Sequence, residues 1–277
     1  MSGMWVKLGE ERAHASRRKT EMGRFQDKKV LVTGSGRGFG AVLALAFADE
    51  GADVVVHYNS SAKGAEEVAN QIRKLGRKAI TVKGDIASHA DVLKIAETCF
   101  GEFGGCDVLV NNVGDMALDQ KSWREFDEKV IDHTLAVDIK GTMFMIHEIG
   151  SRMLDSGRGG AIVNIGSQVV IAGSPRAPQY AAAKYGVIGL TKSYARALAP
   201  LVRVNTLGAA FMETEALKNR YDWQHGRREE VLRQTPLARI ATPEDMVGPV
   251  MFLASDDSKH MTGQFLLANG GLAMVGA

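Results

Sequence analysis

Tyr180 and Lys184 stand four residues apart in YAAAKYGVIGL, a stretch otherwise built of small and aliphatic side chains. On a helix that spacing places both side chains on one face, about 6 Å apart along the axis. A free tyrosine ionises near pH 10, and an ammonium held beside it favours the phenolate, a tenfold change in that equilibrium being worth about 1.4 kcal/mol. A phenol adjusted in this way is suited to give a proton to a nascent alkoxide and to take it back in the reverse direction. Alone, a Tyr and a Lys at this spacing are ordinarily a surface pair. Ser167 closes the apolar run AIVNIGS, and its hydroxyl could donate to a carbonyl oxygen held nearby. Alone, it too reads as a strand-end hydrogen-bonding residue.

These side chains have to be carried by a scaffold. From Lys28 onward, β-branched runs alternate with longer stretches of helical periodicity. The strand candidates are KVLVTG, DVVVHY, KAITVKG, DVLVNN, AIVNIGS, VRVNTLG and QFLLANG. Between them, segments such as AVLALAFADEG and AEEVANQIRKLG carry apolar residues at helical spacing and end in glycine. Strands apolar on both faces and separated by helices imply a parallel sheet covered on both sides. The expectation is a doubly wound α/β fold of about seven strands, one domain over residues 25–277, preceded by a polar extension over residues 1–24. Ligands of such sheets bind beyond the carboxyl ends of the strands.

The first of those ends carries TGSGRGFG, Thr33 to Gly40, which opens directly into a helix. Glycines there let a helix N-terminus approach a pyrophosphate, whose charge the unpaired N–H groups favour. The T-G-x-x-x-G-x-G spacing resembles the short-chain dehydrogenase/reductase family, and later segments repeat the resemblance in order. GDI at Gly84 to Ile86 is similar to the family's adenine-contacting segment, with Asp85 in the acidic place, and NNVG at Asn111 to Gly114 resembles its NNAG turn. Ser167, thirteen residues before Tyr180, together with Tyr180 and Lys184, matches the catalytic serine and the Y-x-x-x-K pair. PLARIATPEDMVGPVMFLASD and TGQFLLANGG resemble the family's last helix and strand. The likeness spans about residues 26 to 273.

The resemblance implies hydride transfer between a nicotinamide and a small carbonyl or alcohol, the substrate oxygen held by Ser167 and Tyr180, with Lys184 also bonding the nicotinamide ribose. It assigns cofactor contacts to Gly34, Ser35, Arg37, Gly38, Phe39 and Gly40 of the glycine turn, and to Asp85, Ile86, Asn112, Val113, Gly114, Tyr180, Lys184 and Thr214 further on. The second strand ends in Tyr58 where an acidic residue would bind the ribose 2′-OH of NAD(H) and repel a 2′-phosphate. Asn59, Ser60 and Ser61 follow as hydrogen-bond donors, and Arg37 offers a cation. NADP(H) is therefore expected over NAD(H).

Three positions depart from the family pattern. Asp138 in AVDIKG stands where the family has a catalytic asparagine, and its carboxylate would oppose the lowering of Tyr180 by Lys184. Ala209-Ala210 replaces Pro-Gly after the sixth strand, and Val113 replaces a small alanine. They keep a second reading open, an NADP(H)-binding sensor or scaffold with little turnover. Substrate choice is expected from GDMALDQ, from QVVIAGSPRAPQ and from METEALKNRYDWQHGRREEVLRQT. In the last, Trp223 and His225 read as solvent-exposed loop residues rather than a lid. The candidate substrates are 3-oxoacyl compounds, cyclic ketones, sugars and polyols.

Composition bounds the rest. The 277 residues are 45% hydrophobic and 24% charged, with a formal net charge of +2. Residues 1–22 hold five Lys/Arg and three Asp/Glu, so they account for that excess and leave no basic stripe for nucleic acid. No apolar run approaches a membrane span. Cys99 and Cys106 lack metal-ligand spacing and are expected as reduced thiols of a cytoplasmic protein. No metal is expected. The family is usually tetrameric, so a homotetramer built through its fourth and fifth helices and last strand is expected.

Overall fold

The computed structural model describes residues 23–116, 120–125 and 127–274. The polar extension thus lies almost wholly outside the described residues, although Arg24 already docks, its backbone N–H donating to Glu50 Oε2 at 2.8 Å.

Seven parallel strands form one sheet in the order β3-β2-β1-β4-β5-β6-β7. They are β1 (Lys29–Val32), β2 (Asp53–Tyr58), β3 (Ala79–Lys83), β4 (Val108–Asn111), β5 (Gly160–Ser167), β6 (Val202–Ala209) and β7 (Phe265–Ala268). Each coincides with a run expected from the sequence, β5 beginning one residue earlier at Gly160 and β6 ending one residue later at Ala209. Val30 and Val32 of β1 point to one face and Leu31 to the other, and all three are buried. That is the signature of a strand covered on both sides.

On one face lie α1 (Gly38–Asp49), α2 (Ala62–Lys74) and, late in the chain, the helix Val247–Ala254. Leu43, Phe47, Val68, Ile72, Val250 and Leu253 pack there with Val30 and Val32. On the other face, α3 (His89–Phe103), α5 (Thr142–Asp155) and α6 (Pro178–Ala197) supply Ile95, Met145, Ile149 and Ala195 against Leu31. Each fully buried Leu, Ile or Phe contributes about 1.5–3 kcal/mol.

The chain runs from β1 outward to β3 and then returns to place β4 on the opposite side of β1. The topological switch point therefore lies between the ends of β1 and β4, where the glycine turn and Asn111–Gly114 leave the sheet. Between α4 (Glu128–Leu135) and α5 the helix widens into a π-helical segment, Ala136–Gly141, which carries Asp138. Such widened turns are often found at functional sites.

Candidate active site

The strand ends enclose a cavity of about 550 Å³. Its floor is formed by Ser167 at the end of β5 and by Tyr180 and Lys184 on α6, and Phe39, Asn112, Gly114 and Thr214 also line it. Pro178 occupies the first turn of α6, where its missing N–H costs nothing and its fixed φ favours the helix. Tyr180 and Lys184 thus fall on consecutive turns, with the Lys184 ammonium 5.6 Å from the centre of the phenol ring. The Ser167 hydroxyl acts on the phenol to favour its ionised form, and its Oγ accepts from the Val169 N–H at 3.3 Å. The sequence-identified trio is assembled at the crevice.

The ammonium is held from two sides. Lys184 Nζ lies 2.8 Å from Asp138 Oδ1 and donates to the Ile165 carbonyl at 3.2 Å. Asp138 is fully buried and its other oxygen accepts from the Asp115 N–H at 3.3 Å. Two glycines permit this approach. A Cβ on Gly114 would lie 2.7 Å from Asp138 Oδ1 and 2.8 Å from Lys184 Nζ, and one on Gly186 would lie 2.8 Å from Ile139 Cδ1. The small face of α6 at Gly186 therefore seats the π-helical segment beside Lys184.

These contacts correct one expectation. Lys184 does pull the Tyr180 pKa down, but burial of the phenol outweighs it and the Asp138 carboxylate adds to the rise, so Tyr180 lies above the ordinary tyrosine value. Burial works against the Lys184 charge, yet Asp138 and Tyr180 more than restore it and raise its pKa. Burial raises the Asp138 pKa against the pull of Lys184. Tyr180 is a phenol at neutral pH, suited first to donating its proton.

The glycine turn is built as a cradle. Gly34 and Gly38 have φ of +66° and +56°, a region glycine reaches without strain. A Cβ on Gly34 would meet Val113 Cγ2 at 2.8 Å, and one on Gly40 would meet the Gly34 carbonyl oxygen at 2.5 Å. Val113, in the place of a smaller alanine, is thus accommodated by packing on Gly34. Helix α1 begins at Gly38 with no side-chain cap from Arg37, which leaves first-turn N–H groups for an anion. These features fit a dinucleotide pyrophosphate. Ser35 is fully buried, its N–H donating to the His57 carbonyl and its hydroxyl to the Val32 carbonyl; its polar groups build the turn. Arg37 is exposed. Gly36 and Ser61 touch through the Ser61 hydroxyl and the Gly36 carbonyl at 3.3 Å, so Arg37 stands next to the segment holding Tyr58, Asn59 and Ser60. Asp85 and Ile86 follow β3, and the Asp85 carboxylate accepts from the Ala87 N–H.

His57 is a site-building residue that the sequence reading missed. It is buried on β2, its Nδ1 accepts from the Gly34 N–H at 3.0 Å, and its Nε2 bonds the Gly84 carbonyl at 3.0 Å. Those partners require the neutral Nε2–H form, and burial pulls its pKa down to about 4. A lone histidine within an apolar strand gives no signal of this.

Beyond β6 the absence of proline lets Ala209 complete the strand, paired with Ser167 and Ala268, its carbonyl accepting from the Gln168 N–H. Thr214 lines the cavity and caps the short helix that follows, accepting from the Leu217 N–H at 3.3 Å. Trp223 corrects a second expectation. It is only 4% exposed and packs with Leu217, Val231 and Ile240, its ring 5.3 Å from Phe211; His225 is exposed, as expected. An indole in a polar-looking loop reads as surface because its apolar partners are scattered along the chain from Phe211 to Ile240. All three expected specificity segments reach the cavity, through Met116, Arg176 and Arg220 among others; residues 117–119 of the first lie outside the described residues. Gln168 also lines it, with its Oε1 buried and unpartnered among the described residues. Among those residues no cluster fits a metal and no helix is long and apolar enough to cross a membrane. Cys99 and Cys106 are buried and unbridged.

Known proteins share this architecture. A family model described as enoyl-(acyl carrier protein) reductase matches residues 34–273. The 3-oxoacyl-[acyl-carrier-protein] reductase of Staphylococcus aureus is 38% identical over 254 residues, spanning 89% of this chain and 98% of its own. An L-rhamnose 1-dehydrogenase (NAD(P)(+)) from a Sphingomonas species is 34% identical over 248 residues, spanning 89% and 96%. The crystal structure of carveol dehydrogenase from Mycobacterium avium in complex with NAD superposes with a TM-score of 0.84 at 25% identity, covering 90% of this chain and 99% of that one.

Proposed function

The chain belongs to the short-chain dehydrogenase/reductase family of oxidoreductases, and from that premise we propose that it is an NADP(H)-dependent ketoreductase and alcohol dehydrogenase acting on a small carbonyl or its alcohol. The observation that carries the reading is the Ser167–Tyr180–Lys184 cluster on the floor of the cavity. The nicotinamide, when bound, supplies or accepts the hydride. Ser167 donates to the substrate oxygen and polarises it. Tyr180, a phenol at neutral pH, then protonates that oxygen as charge develops on it. Lys184, kept charged by Asp138, limits the cost of the transient phenolate and would bond the nicotinamide ribose, as the family resemblance implies. In the oxidative direction Tyr180 must first lose its proton, so alcohol oxidation favours alkaline pH and ketone reduction does not.

Loss of the NADPH absorbance band with a panel of ketones, diketones and sugar lactols tests this directly. Tyr180→Phe should lower kcat/KM by about a hundredfold or more. Undiminished reduction by that variant would refute the assignment, and NADPH binding without consumption of any carbonyl would favour the sensor reading instead.

Preference for NADPH is supported by Tyr58 where NAD(H) would require a carboxylate, and by the exposed Arg37, next in the chain to Gly36, whose carbonyl bonds the Ser61 hydroxyl. The Arg37→Ala variant should bind NADPH about tenfold more weakly and leave NADH affinity unmoved, on the ordinary strength of a charge-assisted bond. Equal affinities of the unaltered protein for the two cofactors would count against it. A homotetramer is supported by β7, an apolar edge strand whose four residues are all half-buried. The two unbridged thiols and the use of NADPH fit a cytoplasmic enzyme.

A further inference from the structure

We infer that Gln168 selects substrates carrying a hydroxyl on the carbon beside the reacting carbonyl, whose proton its carboxamide oxygen accepts. This rests on the ketoreductase reading and narrows the substrates to α-hydroxy ketones and, in the oxidative direction, vicinal diols. Gln168 follows Ser167 directly and lines the same cavity. Its backbone is engaged on both sides. The N–H donates to the Ala209 carbonyl at 3.1 Å, and the carbonyl accepts from the Ile171 and Ala172 N–H groups at 2.9 and 3.1 Å. The end of β6 and the short helix Val169–Ala172 therefore fix where the side chain starts. The residue is only 3% exposed, and its Oε1 is buried with no hydrogen-bond partner among the described residues.

Other polar side chains around the cavity already have partners. Lys184 is held by Asp138, Arg220 by Asp222 and Arg227 by Glu230, while Thr214 accepts from the Leu217 N–H and Asn112 donates to the Thr33 carbonyl. A buried carboxamide oxygen without a donor costs folding stability, so a donor brought by the ligand changes most at that atom. The last torsion of a glutamine is soft and roughly two-fold, and turning it presents the oxygen to the cavity that the side chain lines. An acceptor asks for an O–H or N–H, and in the sugars, polyols and hydroxylated ketones that fit the Ser167–Tyr180 chemistry the donor is a hydroxyl. Consecutive Cα atoms are about 3.8 Å apart, so a ligand whose carbonyl oxygen meets Ser167 offers Gln168 the substituent on the next carbon. On reduction the carbonyl carbon gains the hydride and its oxygen gains the Tyr180 proton, so C=O becomes C–OH. The neighbouring hydroxyl keeps its own proton, shared with Gln168, and the products are a vicinal diol and the oxidised cofactor. A ketone without that hydroxyl leaves the carboxamide unpaired, the condition under which a site built for a hydroxyl rejects the analogue lacking it.

The test compares hydroxyacetone, acetoin and 2-hydroxycyclohexanone with their methyl ethers, which keep the electron-withdrawing oxygen and lose the donor. The hydroxy ketones should show kcat/KM about tenfold or more above their ethers. In Gln168→Met, which keeps the length of the side chain and removes its acceptor, that ratio should fall toward unity while the KM for NADPH stays put. A misfolded fraction lowers both rates alike and leaves the ratio intact, so folding losses do not obscure the outcome. Ethers reduced as well as hydroxy ketones, or a ratio unchanged in Gln168→Met, would overturn the inference. So would reduction of plain ketones with none of the hydroxy ketones accepted. A raised KM for NADPH with the ratio intact would assign Gln168 to the cofactor and overturn it too. If no carbonyl compound consumes NADPH, it is the ketoreductase reading that has failed. Calorimetric binding with NADPH present, which such a protein leaves unconsumed, then decides the hydroxyl question alone. Hydroxy ketones binding about tenfold tighter than their ethers to the unaltered protein but not to Gln168→Met would support it, and equal binding would overturn it.

Discussion

At the residue scale, the informative departure is Asp138. An asparagine there would leave burial, but no negative charge, to oppose Lys184 at Tyr180. The carboxylate holds the ammonium at 2.8 Å and raises the phenol's pKa. In Asp138→Asn, loss of the negative charge favours the phenolate, so the alkaline limb of alcohol oxidation should move to lower pH. Superimposable pH–rate profiles for the two proteins would show that Asp138 has no part in proton transfer. Asp138→Ala is a harsher change, because it strands a buried ammonium; the expected cost is about 3–5 kcal/mol of folding stability, read from urea unfolding. Tyr180 and Lys184 were visible in the sequence because their spacing is local. The balance between them was not, since burial and Asp138, forty-six residues away from Lys184, set its direction.

At the element scale, the glycine turn, β2 and the end of β3 are tied together by one imidazole. His57 bonds Gly34 through Nδ1 and Gly84 through Nε2, and a second ring proton would confront the Gly34 N–H. In the unfolded chain this histidine takes up a proton below about pH 6.5, whereas in the folded protein it does so only near about 4. Between those values the unfolded state binds more protons, so stability is lost as pH falls, by up to about 3 kcal/mol across the window. The stability lost between pH 7 and pH 5, read from urea unfolding, should therefore be smaller in His57→Gln than in the unaltered protein, by about 2 kcal/mol. Equal losses would show that His57 stays neutral at no cost. The strands themselves were legible, because period and composition are properties of five or six consecutive residues. The π-helical segment at Ala136–Gly141 was not, because its extra residue per turn is fixed by contacts such as Ile139 on Gly186.

At the scale of the whole molecule, the sheet order places the ends of β1 and β4 side by side and puts those of β5 and β6 next to them. Cofactor cradle and proton-transfer residues consequently follow one rim of the sheet. At the far edge, β7 presents Phe265, Leu266, Leu267 and Ala268, each half-buried, with no strand beyond it among the described residues. An apolar edge of this kind calls for a cover. Sedimentation should give four times the 29.8 kDa chain mass, and charged substitutions at Leu266 should shift it toward smaller species; a monomer at assay concentration would refute the tetramer.

The sequence by itself determined the parallel α/β class, the seven strands, the glycine turn and the Ser–Tyr–Lys trio, because each is written in residues that are neighbours along the chain. Tertiary structure alone decided that Tyr180 sits above its ordinary pKa, that Trp223 is core and that His57 joins three strand ends. Burial and Coulomb interactions depend on distance through space, and residues far apart in the chain are brought together only when the sheet closes.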